Sequence, residues 1–155
     1  MGRLAGLPPD ELEVLEYASL LHDLGKIAVN EAVLNKKGPL TEEECAHIKD
    51  HPEVGEKILS GIALMEPVAG IIAAHHENFD GTGYPRKLSG ADIPFSSRII
   101  AVADLYDAMS SDRPYRKGLS LDVVLQEMRS VSGTQLDPEI VNLFIDNKLY
   151  LFKTN

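Results

Sequence analysis

Five histidines occur in these 155 residues, and four of them stand beside carboxylates or glycines. His22-Asp23 runs into Leu24-Gly25-Lys26, and His51 precedes Pro52-Glu53. His75 and His76 open the run His75-His76-Glu77-Asn78-Phe79-Asp80-Gly81-Thr82-Gly83-Tyr84-Pro85. Imidazole and carboxylate are the side chains that bind borderline and hard divalent cations. A carboxylate such as Asp23 has two oxygens and can bridge two cations, which a histidine cannot. Asp104 lies in Ala101-Val102-Ala103-Asp104-Leu105, where a carboxylate in an otherwise apolar helix needs a partner if it is buried. His22, Asp23, His51, His75, His76 and Asp104 are therefore the candidate metal ligands. His47 would share a face with His51 on a continuous helix, but Pro52 predicts a break there, so His47 reads as a solvated residue.

Helices must carry these groups. Pro8-Pro9-Asp10-Glu11 reads as a helix start, followed by Leu12, Leu15, Ala18 and Leu21 on one apolar face. His22 sits at the edge of that face, and Gly25 is expected to end the helix as a left-handed cap. Residues 26–40 read as a loop. Thr41-Glu42-Glu43-Glu44 is a capping box that starts a helix towards Asp50. Pro52 suits the first turn of the next helix, which Gly61 ends. A helix from about Pro67 to His76 is apolar all round and so expected to be buried. Asp80-Gly81, Gly83, Pro85, Gly90 and Pro94 make residues 78–94 a long loop, of a kind that is often functional. Helical spacing resumes from Phe95 to Ser111, again from Ser120 to near Gly133, and once more after the cap Asp137-Pro138. No alternating strand pattern and no internal repeat is present. The expected class is all-α, a single-domain helical bundle with ligands at helix ends or on one inner face. A tail from about residue 146 to 155 is expected to fray.

Composition narrows the function classes. The chain is 44% hydrophobic and 25% charged, as in ordinary soluble globular proteins. Its net charge of −9 argues against non-specific binding to long nucleic acids, though not against a small anionic substrate beside bound cations. No apolar run reaches a membrane span, and the first residues lack a signal-peptide core. The single cysteine, Cys45, leaves no internal disulfide framework and no cysteine-based zinc knuckle. The cytoplasm is the default expectation.

Several runs together resemble a known family. His22-Asp23-Leu24-Gly25-Lys26 resembles the first signature of the HD superfamily of metal-dependent phosphohydrolases. His75-His76-Glu77 through Gly83-Tyr84-Pro85 resembles the extended signature of its HD-GYP subfamily. His51-Pro52-Glu53-Val54-Gly55, Ile93-Pro94 through Asp104, Asp107-Ala108-Met109 and Arg113-Pro114-Tyr115-Arg116 continue the match in order. The resemblance implies an all-helical HD-domain phosphodiesterase that hydrolyses cyclic di-GMP to linear pGpG and, in some members, GMP. It implies two divalent ions, with iron or manganese favoured and nickel or zinc compatible with the ligand set. His22, Asp23 and Asp104 look like ligands of one ion. Asp23, His51, His75 and His76 look like ligands of the second, with Asp23 bridging. Lys26, Asp107, Arg113 and Arg116 look like substrate contacts. The Gly83-Tyr84-Pro85 loop looks like a contact for substrate or a signalling partner. The resemblance implies that residues 1–155 correspond to that catalytic domain without the family's first ligand-bearing helix.

The chemistry such a site serves is attack on a phosphodiester by a water whose pKa two cations lower to about 7. Asp23 and Lys26 would carry it, with Lys26 and the bidentate fork of Arg113 neutralising phosphate oxygens. Asp107, three residues after Asp104, is expected on the same helix face, where it accepts from a base or positions Lys26. Arg116 reads equally as solvated surface, and Arg86 and Lys87 read better so. Glu77 and Asp80 either orient the imidazoles or cap the loop, Asp80-Gly81 being a common turn dipeptide. A competing reading is a catalytically impaired module that binds metal or nucleotide and signals through the Gly83-Tyr84-Pro85 loop. A phosphohydrolase for another nucleotide is disfavoured by that same loop. A homodimer would arise if a second copy covered exposed apolar surface.

Overall fold

The computed structural model describes residues 1–112 and 117–151. Among them no strand forms, and the elements are helices and short 3-10 turns. Helix α1, Pro9–Leu21, starts on proline with Asp10 and Glu11 in its first turn, and buries Leu15 and Ala18. It ends before the expected glycine: His22 is its C-cap, and Leu24–Ala28 forms a 3-10 turn. Gly25 is therefore not a left-handed cap and does not adopt positive φ. Its constraint is space, because a Cβ there would fall 1.9 Å from the backbone oxygen of His51.

The segment 26–40, expected as a loop, holds that 3-10 turn and a short helix α2, Glu31–Leu34. The side chain of Asn30 accepts the Ala32 N–H (2.8 Å) to start it. Helix α3, Glu42–Lys49, opens on the reciprocal capping box. Glu44 N–H donates to Thr41 Oγ1 (3.2 Å), and Thr41 N–H donates to Glu44 Oε2 (2.7 Å). Helix α4, His51–Leu59, follows almost at once, with proline in its first turn. His47 is exposed.

Helix α5, Glu66–Ala73, buries Val68, Ala69, Ile72 and Ala73. It stops a turn short of its expected end, because the Ala74 N–H donates to Ile71 O (3.2 Å) in a tightened last turn. Helix α6, Phe95–Ser110, is the longest. Helices α7, Leu121–Ser130, and α8, Pro138–Asp146, complete the bundle. The core joins Ala18, Leu59, Val68 and Ile72 to Ile99, Val102, Val124, Met128, Ile140 and Phe144. Helix α5 packs against α1, α4 and α6, while α6 packs against α7 and α8.

Asp137 has two tasks. It caps α8 by accepting the Glu139 N–H (2.8 Å), and it pairs with Arg98 from α6 while only 3% exposed. In the tail expected to fray from about residue 146, Leu149 and Tyr150 pack against the core while Leu151 is exposed. Leu149–Leu151 makes a 3-10 turn, and the Tyr106 hydroxyl donates to Tyr150 O (3.3 Å). Residues 152–155 lie outside the described residues. No helix among the described residues is long and apolar enough to cross a membrane.

Candidate metal centre

All the candidate ligands but Asp104, which lies within α6, come from helix ends, and the ends explain their geometry. A helix leaves carbonyl oxygens near its C-terminus without intrahelical partners. Three histidines use such oxygens in the same way. His22 Nδ1 lies 2.9 Å from Ser19 O, His51 Nδ1 lies 2.6 Å from Ile48 O, and His75 Nδ1 lies 2.6 Å from Ile72 O. Each ring reaches back three residues. A carbonyl can only accept, so Nδ1 carries the hydrogen in all three rings. In a neutral ring the Nε2 lone pair is then left free to bind a cation.

These lone pairs converge. His51 Nε2 and His75 Nε2 are 3.3 Å apart. His51, His75 and His76 offer nitrogen atoms that all lie within 4.8 Å of one another. His51 is 1% and His75 2% exposed. Burial, the largest cause, pushes the His75 imidazole down to about 4, with the charges of His22 and His51 acting in the same direction. Burial and the neighbouring His75 push His76 down to about 3. Burial also lowers His51. The rings are thus neutral near pH 7, and two lone pairs face each other with no proton between them. That arrangement fits a cation and is costly without one.

Asp23 stands at the edge of this cluster. Its Oδ1 is 3.5 Å from His51 Nε2, and its Oδ2 is 3.6 Å from His22 Nε2. The Lys26 ammonium sits on both oxygens, at 2.7 and 2.8 Å. Burial raises the Asp23 carboxyl, but the Lys26 hydrogen bond and charge, with help from His22 and His51, hold it below its ordinary value. The carboxylate is therefore available as a ligand, with Lys26 as its partner. The His22 ring makes an edge contact with His75 at a centroid distance of 5.3 Å.

Asp104 comes from α6. With His75 and His76 it lines a hollow of about 450 Å³, shared with Lys49, Asn78, Thr82, Tyr84 and Gln135. Tyr84 stacks on His76 at 5.0 Å between centroids, 25° from parallel. Burial, then the charges of Asp104 and Asp23, push the Tyr84 phenol up to about 12, so it stays protonated.

Glu77 serves the loop. Its carboxylate accepts the Arg86 N–H (2.6 Å) and the Leu88 N–H (3.1 Å). Asp80 likewise makes a turn, accepting the Thr82 N–H and hydroxyl, while Gly81 takes φ +84°. Loop capping is thus what both acids do, of the two roles open to them. Gly83 admits close packing, since a Cβ would fall 2.1 Å from Asn78 N. Arg86 lies on the surface, paired with Glu56.

Asp107 departs from expectation. It lines a different hollow with Tyr106, Ser110 and Ser111, and its Oδ1 accepts the Ser111 hydroxyl (2.8 Å). It does not position Lys26, whose ammonium is on Asp23. Three helical steps leave Asp104 and Asp107 roughly 60° apart, enough to face different walls. Arg113 and Arg116 lie outside the described residues. Lys49 was not legible as a site residue: it ends α3, where a basic side chain has a routine role beside the helix terminus.

Comparison with known proteins adds to this geometry. The chain is 40% identical over 148 residues to a cyclic di-GMP phosphodiesterase response regulator of Xanthomonas campestris pv. campestris, covering 94% of this chain and 39% of that protein. A cyclic di-GMP phosphodiesterase of Thermotoga maritima is 40% identical over 149 residues, covering 93% of this chain and 40% of that one. A 3′3′-cGAMP-specific phosphodiesterase of Vibrio cholerae is 38% identical over 149 residues, covering 95% of this chain and 28% of that one. The chain thus spans two fifths or less of the length of these relatives. The crystal structure of a cyclic GMP-AMP-specific phosphodiesterase of V. cholerae superposes with a TM-score of 0.69 at 22% identity, over 97% of this chain and 42% of that one, which supports the fold. The sequence profile described as HD domain matches residues 1–140. A match over so much of the chain settles its membership: this is a protein of the HD domain family.

Proposed function

We propose that this chain is a metal-dependent phosphodiesterase that opens cyclic di-GMP to linear pGpG. The observation that carries the reading is the meeting of His51, His75 and His76 nitrogens, with the opposite ring atoms of His51 and His75 held on backbone carbonyls. His22, Asp23 and Asp104 complete the ligand set in this reading, and two ions, iron or manganese, suit its nitrogen and oxygen donors. Bound cations supply Lewis-acid charge for the phosphate and a nucleophile at neutral pH.

The protein's own groups do the rest. The backbone carbonyls orient the imidazoles, and Lys26 holds Asp23 in place. Tyr84 walls the hollow beside His76 and, with its loop tied down by Glu77, keeps bulk water from one side. Hydrolysis adds the oxygen of water to phosphorus and returns a proton to the departing 3′ oxygen. Relatives of nearly equal identity divide between cyclic di-GMP and 3′3′-cGAMP, so the second nucleotide is the comparison substrate.

The test joins metal and turnover. Protein purified without chelators is expected to carry close to two ions per chain and to convert cyclic di-GMP faster than 3′3′-cGAMP. Asp23→Ala is expected to lose bound metal and at least about a hundredfold in rate, as loss of a main electrostatic element does. Wild-type turnover by that variant, or a wild-type protein that takes up no metal, would overturn the reading.

A further inference from the structure

Lys49 is the one described cation that lines the hollow with His75, His76 and Asp104. Its Nζ sits 5.4 Å from the centroid of the Tyr84 ring, which itself stacks on His76. Among the described residues it forms no ion pair, whereas Lys26 is committed to Asp23 and Arg86 to Glu56. A helix-terminal lysine can serve the helix dipole alone, but here its ammonium is held over an aromatic face at the mouth of the site. A cyclic dinucleotide carries two phosphodiesters. When one is at the ligand cluster, the other is a spectator anion that needs a fixed positive partner close by.

We propose that Lys49, placed by Tyr84, anchors the phosphate of the substrate that is not being cut. This rests on the proposed phosphodiesterase reading and names a contact within it. The anchor acts on binding: it recognises a substrate with a second phosphate, and a diester with only one gains little from it.

The experiment compares cyclic di-GMP with bis(p-nitrophenyl) phosphate, a diester with a single phosphate. Lys49→Met keeps the stem that packs on Tyr84 and removes the charge. Its KM for cyclic di-GMP is expected to rise about tenfold, the scale of one charged contact, with a smaller change in kcat. The loss in kcat/KM should be at least severalfold greater for cyclic di-GMP than for the small diester. Lys49→Arg should recover most of the affinity, because it restores the charge. Metal content and the circular dichroism spectrum control for folding. Equal losses on both substrates, or no loss on cyclic di-GMP, would overturn the anchor while leaving the phosphodiesterase reading intact. A wild-type protein that cleaves the small diester but no cyclic dinucleotide would remove the substrate assignment, and the anchor with it.

Discussion

The Glu77 carboxylate is 3% exposed and spends itself on two backbone N–H groups of its own loop. Removing it would leave two partly buried donors without an acceptor, a penalty of about 1–3 kcal/mol for each. Glu77→Ala is expected to destabilise the fold by roughly 3 kcal/mol in total. In a chain of this size that lowers the thermal midpoint by about 6–12 °C, measurable by calorimetry. Turnover should also fall, because the same loop carries Tyr84 onto His76. A midpoint within about a degree of wild type would show that water replaces the carboxylate at no cost. At this scale the candidate ligands could be named from residue type, since few side chains bind such cations. Their orientation could not. Nothing in Ser19, Ile48 or Ile72 as letters marks a carbonyl that receives a ring N–H three residues on. Asp107, three residues from Asp104, lines another hollow, a divergence that spacing alone does not show.

Helix starts were readable because their chemistry is local. Thr41 with Glu44, Pro52, and Asp137 before Pro138 all begin helices in the positions their side chains dictate. Helix ends were less readable, as α1 and α5 both stop before the expected residue. Gly25 shows why. A glycine just past an apolar stretch usually signals a left-handed cap, a local property. Here the reason is tertiary: the 3-10 turn rests against the first turn of α4, where the backbone oxygen of His51 leaves no room for a side chain. Gly25→Ala is therefore expected to push the two elements apart, carrying Asp23 away from His51. Metal stoichiometry should drop, with a stability loss of roughly 1–3 kcal/mol, as for other overpacked positions. Gly61→Ala is the matched control, because nothing lies near its Cβ position and its φ is not positive. If both variants bind metal and melt alike, the close approach does not govern the site.

Over the whole molecule, the residues proposed as ligands stand at the ends of α1, α4 and α5 and within α6, so in that reading cation binding and folding are linked. Any group that binds the folded chain alone stabilises it by about 2.7 kcal/mol at a hundred times its Kd. Chelation is expected to lower the thermal midpoint by several degrees, and re-addition of manganese to restore it. The metal-free protein should also be sensitive to acid. His75 and His76 have values of about 4 and about 3 in the fold, against an ordinary 6.5 when unfolded. Between those limits the unfolded chain binds more protons, so stability is full above about pH 6.5 and declines as pH falls towards 4 and then 3. A melting midpoint that stays flat from pH 7 to 4 in metal-free buffer would contradict that burial.

The oxygens that steer the three rings belong to the main chain, and this shapes how the sequence can drift. Substitution at positions 19, 48 or 72 changes a side chain but cannot delete the peptide oxygen beneath it. The steering is therefore carried by helix phase. A one-residue insertion or deletion between such a carbonyl and its histidine would retune a ring that point substitution at the same three places leaves aligned.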